Sequence, residues 1–268
     1  MTEQQRERLA ALACVAWLAV GLWAPALSLP PEYHHFADAR TWLGLPCAAD
    51  VLSNAAFALA GVWLWWRAMQ VPHPSLPGLP SVQWAAVMLT GAGLLLTAAG
   101  SSVYHWHPDD LGLVIDRMGM GVAFAGLLGV AVADRIGDRA ALALTGAVLL
   151  LAPLAAALAW QANNATPWLV LQAGGLLVLL ALALCPALPG RLAVPWGWVV
   201  AVYVLAKLLE LGDQAVFGWT HGLVAGHTLK HVVAACAIWP LCAALSRRPH
   251  RLAGALHVHS QSDRTITA

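Results

Sequence analysis

Charged side chains are scarce. Lysine, arginine, aspartate and glutamate make up 10% of the 268 residues, where a soluble domain carries about 25%. That shortage excludes an ordinary water-exposed surface. A net charge of +1, with no basic stripe interleaved with aromatics, excludes a nucleic-acid partner. Cysteine is sparse as well. The five residues Cys14, Cys47, Cys185, Cys236 and Cys242 show no paired spacing, and four of them sit in apolar stretches. A free cysteine there behaves as a small hydrophobe, so a disulfide framework and a thiolate metal site are both set aside. There is no internal repeat, which argues against an inverted-repeat transporter. No polar insertion is long enough to fold alone, so residues 1–268 are expected to form one domain.

What is abundant is apolar sequence, 60% of the chain, gathered in blocks near the ~20 residues that cross a bilayer as helix. Run length predicts an all-α, polytopic transmembrane bundle of eight spans, about 9–29, 48–69, 82–106, 111–133, 139–160, 167–188, 194–211 and 223–246. The first block follows a short charged start, as a signal peptide would. It is long enough to span and has no clear small-residue cleavage site, so it is expected to be retained. Proline, glycine and charge collect between the blocks, as in the run from Pro72 to Pro80. Residues 247–268 form a polar tail.

Eight spans place both termini on one side, and that side collects Arg6, Arg8, Arg67, Arg135, Arg139, Arg191, Arg247, Arg248, Arg251 and Arg264. Arg40, Arg117, Lys207 and Lys230 fall toward the other. The positive-inside rule then puts both termini in the cytoplasm. By the same parity Ser101, His105, Asp116, His227 and His231 meet at the non-cytoplasmic face. Eight of the acids fall there too, which either tolerates the outer side or lines a cation-binding rim.

Ionisable groups inside a span need a partner or a function. His227 and His231, four apart, share one helix face and can reach one metal. His105 would be the third ligand, with His107 as its competitor. His221 lies off the face of His227, and His257 and His259 fall in the tail on the other side. Three imidazoles and an open position suit zinc, which acidifies bound water to a pKa of about 7. Asp116, about 9 Å along the span that follows the His107–Asp110 turn, is the candidate general base. Ser101, one turn before His105, either donates to a developing oxyanion or bonds back to its own helix. Asp109 and Asp110 read as helix caps. Asp50, Ser53 and Asn54 share a face at the start of the second span, where they either buttress the site or make interhelical contacts.

Ser101-x-x-x-His105, then Asp116, then His227-x-x-x-His231 resembles the alkaline ceramidase family, within a superfamily of seven-helix membrane hydrolases that includes the adiponectin-receptor-like proteins. The resemblance covers about residues 48–246, leaving 9–29 as an additional first helix. It implies a zinc ion on His105, His227 and His231, with Ser101 and Asp116 assisting. It further implies hydrolysis of the amide of ceramide or a related lipid, entering from the bilayer, to a fatty acid and a long-chain amine. Alternatives on the same scaffold are an ester-cleaving lipid hydrolase and a zinc-containing receptor without turnover. No protein partner is evident. The acidic, tryptophan-containing segment that holds calcium in eukaryotic members has no clear counterpart in Tyr33–Trp42, where Asp38 is the acid, with Asp50 further on. Short loops and the lack of eukaryotic trafficking signals fit a bacterial inner-membrane protein.

Overall fold

In the computed structural model the chain is described over residues 3–71 and 80–247. The Pro72–Pro80 connection, apart from Pro80, and the tail beyond Arg247, with His257 and His259, lie outside the described residues. The described elements are helical: α1 (Glu3–Trp23), α2 (Ala48–Ser53), α3 (Ala55–Met69), α4 (Ser81–Trp106), α5 (Asp110–Arg135), α6 (Asp138–Gln161), α7 (Thr166–Ala183), α8 (Trp196–Leu211), α9 (Asp213–Trp219), α10 (Gly226–Cys236) and α11 (Trp239–Ser246). A 3-10 turn at Pro31–His34 sits in the loop before α2.

Six stretches are long and apolar enough to cross a membrane: Ala48–Met69, Ser81–Trp106, Asp110–Arg135, Asp138–Gln161, Thr166–Ala183 and Gly226–Ser246. The other two expected spans are helical but fall short of that standard. α1 carries Glu3, Arg6, Glu7 and Arg8 in its opening turns. α8 has 16 residues, about 24 Å of helix against a hydrocarbon layer of about 30 Å. Beyond Gly212 the chain turns into α9, a helix the run-length reading assigned to a connection.

Two expected spans are broken. At Asn54 the side-chain Nδ2 donates to the carbonyl of Asp50 at 2.9 Å, and the Ser53 hydroxyl donates to the same oxygen at 2.9 Å. These side chains compete with the backbone for a helical acceptor, and α2 ends there. The break between α10 and α11 precedes Pro240, which has no N–H to give.

The pair α4 and α5 sets the positions of the site residues. Their backbones approach through glycine: a methyl group added at Gly100 would lie 2.7 Å from the Ile115 carbonyl oxygen, and one at Gly119 2.6 Å from that of Leu96. Small residues are what allow helices to approach so closely in a membrane. The Asp109 side chain accepts from the Gly112 N–H at 2.7 Å and caps α5, as its sequence position predicted. α1 docks on the outside, with Trp17 Nε1 donating to the Val170 carbonyl at 2.7 Å.

Candidate metal centre

His105 lies in the last turn of α4, and His227 and His231 occupy successive turns of α10. The fold brings all three together, each buried, with a candidate ligand nitrogen on every ring within 4.8 Å of the others. Ring centroids are 4.7 Å apart for His105 and His227, 5.0 Å for His105 and His231, and 4.9 Å for His227 and His231. His107 is not the third member. It is the C-cap of α4 and its exposed ring stacks on Trp106. His221 stays in the exposed loop after α9.

Each ring is held by its surroundings. The Ser53 hydroxyl is 2.7 Å from Nδ1 of His231. Its one proton goes to the Asp50 carbonyl, so it accepts from Nδ1–H, and the Nε2 lone pair of His231 is left free. That Nε2 is buried without a hydrogen-bond partner, as is Nδ1 of His105. Unpaired buried ring nitrogens are rare in a folded chain, and two in one cluster fit a cation that would take up both lone pairs. The donor set, three imidazoles and no thiolate, fits zinc among other divalent ions.

α10 starts where it does because of Gly226 and Asp213. A methyl group at Gly226 would collide with the Leu209 carbonyl and lie 2.9 Å from the Asp213 Cα. That close approach lets the Asp213 carboxylate accept from the His227 N–H at 2.7 Å. Its other oxygen accepts from the Ala37 N–H at 2.9 Å, which clips the loop before α2 onto α10. Phe36 thereby lies against the cluster, its centroid 4.5 Å from that of His105 and 4.8 Å from that of His227. Thr228 Oγ1 donates to Asp50 at 2.5 Å.

Asp116 is buried on α5, one carboxylate oxygen without a partner. The Ser101 side chain lies against it, one helical turn below His105. Arg117, its sequence neighbour, turns elsewhere, with its guanidinium 5.3 Å from the Trp168 ring centroid and 5.9 Å from that of Tyr33. Arg40 donates to both oxygens of Asp38, at 2.7 and 2.6 Å, so the acid of this loop already has a cationic partner.

Sequence reasoning missed Phe36, Asp213 and Lys230. The last lies between the two histidines in sequence. Its Nζ donates to His227 Nε2 at 2.8 Å and to Glu210 at 3.0 Å, and Lys207 completes a chain by pairing with the same carboxylate. Among the groups outside the spans, Arg40 holds the Asp38 carboxyl below its usual range and burial raises the Cys47 thiol above its own.

Comparison with family models, with curated proteins and with solved structures finds no match.

Proposed function

We propose that this chain is a ceramidase-like, zinc-dependent membrane hydrolase that cleaves the amide of a lipid, ceramide or a close relative, into a fatty acid and a long-chain amine. The observation that carries this reading is the convergence of three buried imidazoles, two of them with an unpartnered nitrogen; Asp116, a buried carboxylate, faces Ser101, one helical turn from His105. His105, His227 and His231 would hold the metal. When bound, zinc supplies Lewis acidity and an acidified water at neutral pH.

The remaining chemistry belongs to the chain. Asp116 accepts the proton of the attacking water through its unpartnered oxygen and returns it to the leaving amine. Ser101 donates its one proton to that carboxyl and holds it in place; once Asp116 carries a proton, Ser101 can accept from it and turn its own hydrogen to developing negative charge. Ser53 orients His231, and Phe36 covers the cluster against bulk water. A shallow apolar recess lined by Met120, Phe124, Trp168, Leu171, Gln172 and Tyr203 begins one turn past Asp116 on α5 and offers apolar walls against which an acyl chain would lie.

The six apolar helices support insertion in a membrane. The finer topology proposed is eight spans, with α1 and α8 completing the set, both termini cytoplasmic, the site toward the opposite face, and a bacterial inner membrane as the setting.

The test is metal content and fatty-acid release by purified protein in lipid nanodiscs, for wild type and Asp116→Asn. The expected result is about one zinc per chain in both and amide hydrolysis only in wild type. Cleavage of an ester analogue without cleavage of ceramide would replace the amide reading with the ester one. Zinc without turnover of either would leave a sensor.

A further inference from the structure

Lys230 is a cation lodged inside the ligand set of another cation. A neutral imidazole ring has a single in-plane lone pair, because its other nitrogen carries the proton. A metal needs it at about 2.0–2.1 Å, whereas the Lys230 N–H takes it at 2.8 Å. The two cannot share it. The same Nζ already lies 3.0 Å from Glu210 Oε1, so a rotation about the end of the lysine stem moves it from one acceptor to the other without stranding a charge. Glu210 is well suited as a second seat. It lies on α8, which packs against α10, and Lys207 from its own helix holds its other oxygen. The carboxylate is therefore fixed in place whether or not Lys230 leans on His227.

From this geometry we propose that Lys230 and the metal compete for the one lone pair of the neutral His227 ring, which Lys230 holds on Nε2, and that Glu210 is the seat to which Lys230 must withdraw for the metal to load. The Lys230–Glu210 pair thus sets how tightly and how selectively the three histidines take an ion. Lys230 is a positioning residue here, since it acts through His227. The inference rests on the three-histidine site reading. It adds a competitor within the chain that neither the spacing of the histidines nor their burial implies.

Long-range repulsion between Lys230 and a divalent ion would also weaken binding, so the test must separate competition from field. Full-length protein in detergent, stripped by chelator, is titrated with Zn²⁺ against a fluorescent chelator, with Co²⁺ as a second probe read by its visible absorption. Four variants are compared with wild type: Lys230→Met, Glu210→Gln, the double variant and Lys207→Met. Competition predicts that Lys230→Met tightens zinc about 10- to 100-fold, the scale of losing one charge-assisted hydrogen bond. Glu210→Gln weakens zinc about tenfold, because Lys230 then has only His227 to lean on. In the Lys230→Met background the Glu210→Gln change has an effect of less than about threefold, because there is no lysine left to seat. Lys207→Met removes the same charge from the same carboxylate without touching a histidine and stays within about threefold of wild type.

The proposal is overturned if Lys230→Met does not tighten zinc, or if Lys207→Met tightens it equally. It is also overturned if Glu210→Gln weakens zinc by the same factor in both backgrounds, the signature of a simple field. If Lys230→Met does not fold, Lys230→Gln carries the same expectation and the same refutation. Failure of the wild type itself to bind Zn²⁺ or Co²⁺ would sink the metal-site reading instead, a result distinct from all of these.

Discussion

Toward its two ends α5 buries carboxylates, Asp116 and Asp134, about 27 Å apart along the helix, on opposite terms. At its C-terminal end Asp134 is fully buried and saturated. It accepts from the Ala193 N–H at 2.8 Å, the Val194 N–H at 3.1 Å, Trp196 Nε1 at 3.1 Å and Gln83 Nε2 at 3.3 Å. Arg135 beside it donates to the Val194 carbonyl at 2.6 Å. This constellation ties the α7–α8 connection to α4 and α5. What it leaves over is one oxygen of Gln83 and one nitrogen of Arg135, the latter still 3.6 Å from the Asp134 carboxylate. At the other end, buried atoms without a partner gather within one cluster and its supports: His105 Nδ1, His231 Nε2 and one oxygen each of Asp116, Asp50 and Asn54. A buried polar atom left unpaired costs about 1–3 kcal/mol. Stability alone would select against so many in one place, whereas a site that must bind and react needs free valences. One end is built to hold the bundle together and the other to act.

The sharpest way to break this contrast is Asp134→Ala. It removes the acceptor of four donors and leaves Arg135 beside an empty partner, so a loss of about 3–5 kcal/mol is expected. Chemical unfolding in detergent micelles measures it. Zinc affinity of the fraction that remains folded should be unchanged. His231→Ala is the mirror experiment. It should abolish stoichiometric zinc by direct metal analysis. Unfolding of the chelator-stripped protein should shift far less than in Asp134→Ala, because of the two deleted nitrogens only Nδ1 has a protein partner, and that partner, Ser53, keeps its bond to the Asp50 carbonyl. If stripped His231→Ala is as unstable as Asp134→Ala, the two ends are not differently built.

A smaller effect is expected at Ser53, whose hydroxyl fixes the His231 tautomer. Ser53→Ala should weaken zinc about 10- to 100-fold, the usual cost of losing a hydrogen bond to a ligating histidine, with zinc stoichiometry kept at saturation. Unchanged affinity would mean that Asp50 and the helix backbone orient the ring without it.

How much of this was legible beforehand follows the same line. Histidines four apart share a face wherever a helix forms, so His227 and His231 were readable as a pair. The parity of the spans carried His105 to the same end, and the structure chose it over His107 because α4 stops at Trp106 and turns His107 out to the surface. Ser101 and Asp116 were readable because a short turn between two helices leaves little freedom in how they align. Ser53 and Asn54 were visible as a polar face. What could not be read was that both side chains bond to one carbonyl, which breaks the span and frees Ser53 to receive His231. Phe36, Asp213 and Lys230 were illegible for a different reason. Their places depend on the path of the loop before α2 and on the turn after Gly212, neither of which has a periodicity to read. Run length placed α8 to within two residues, 194–211 against Trp196–Leu211, but a helix of that length falls short of the hydrocarbon thickness and run length alone does not make it a span.

The weakest effect concerns the loop over the site. Asp38 is buried, but Arg40 is 57% exposed at its side chain, so solvent screens the pair and its contribution is small. Hydrogen bonds from Arg40 hold the Asp38 carboxyl below its usual range, against burial, which pulls the other way. A carboxyl with a lowered folded-state value stabilises above its unfolded value of about 3.9 and loses that contribution as pH falls through the folded one. Wild type should therefore be slightly more stable than Asp38→Asn near pH 7. The gap should close as the pH drops below about 4, in paired unfolding curves. Arg40 also donates to the Leu223 carbonyl at 3.1 Å, in the turn that leads into α10. Losing the ion pair should thus loosen Phe36 from the histidines before it unfolds the bundle, seen as faster amide exchange at Ala37 at a pH where global stability is still intact. Exchange at Ala37 that rises only together with global unfolding would mean that the loop belongs to the well-tied part of the molecule.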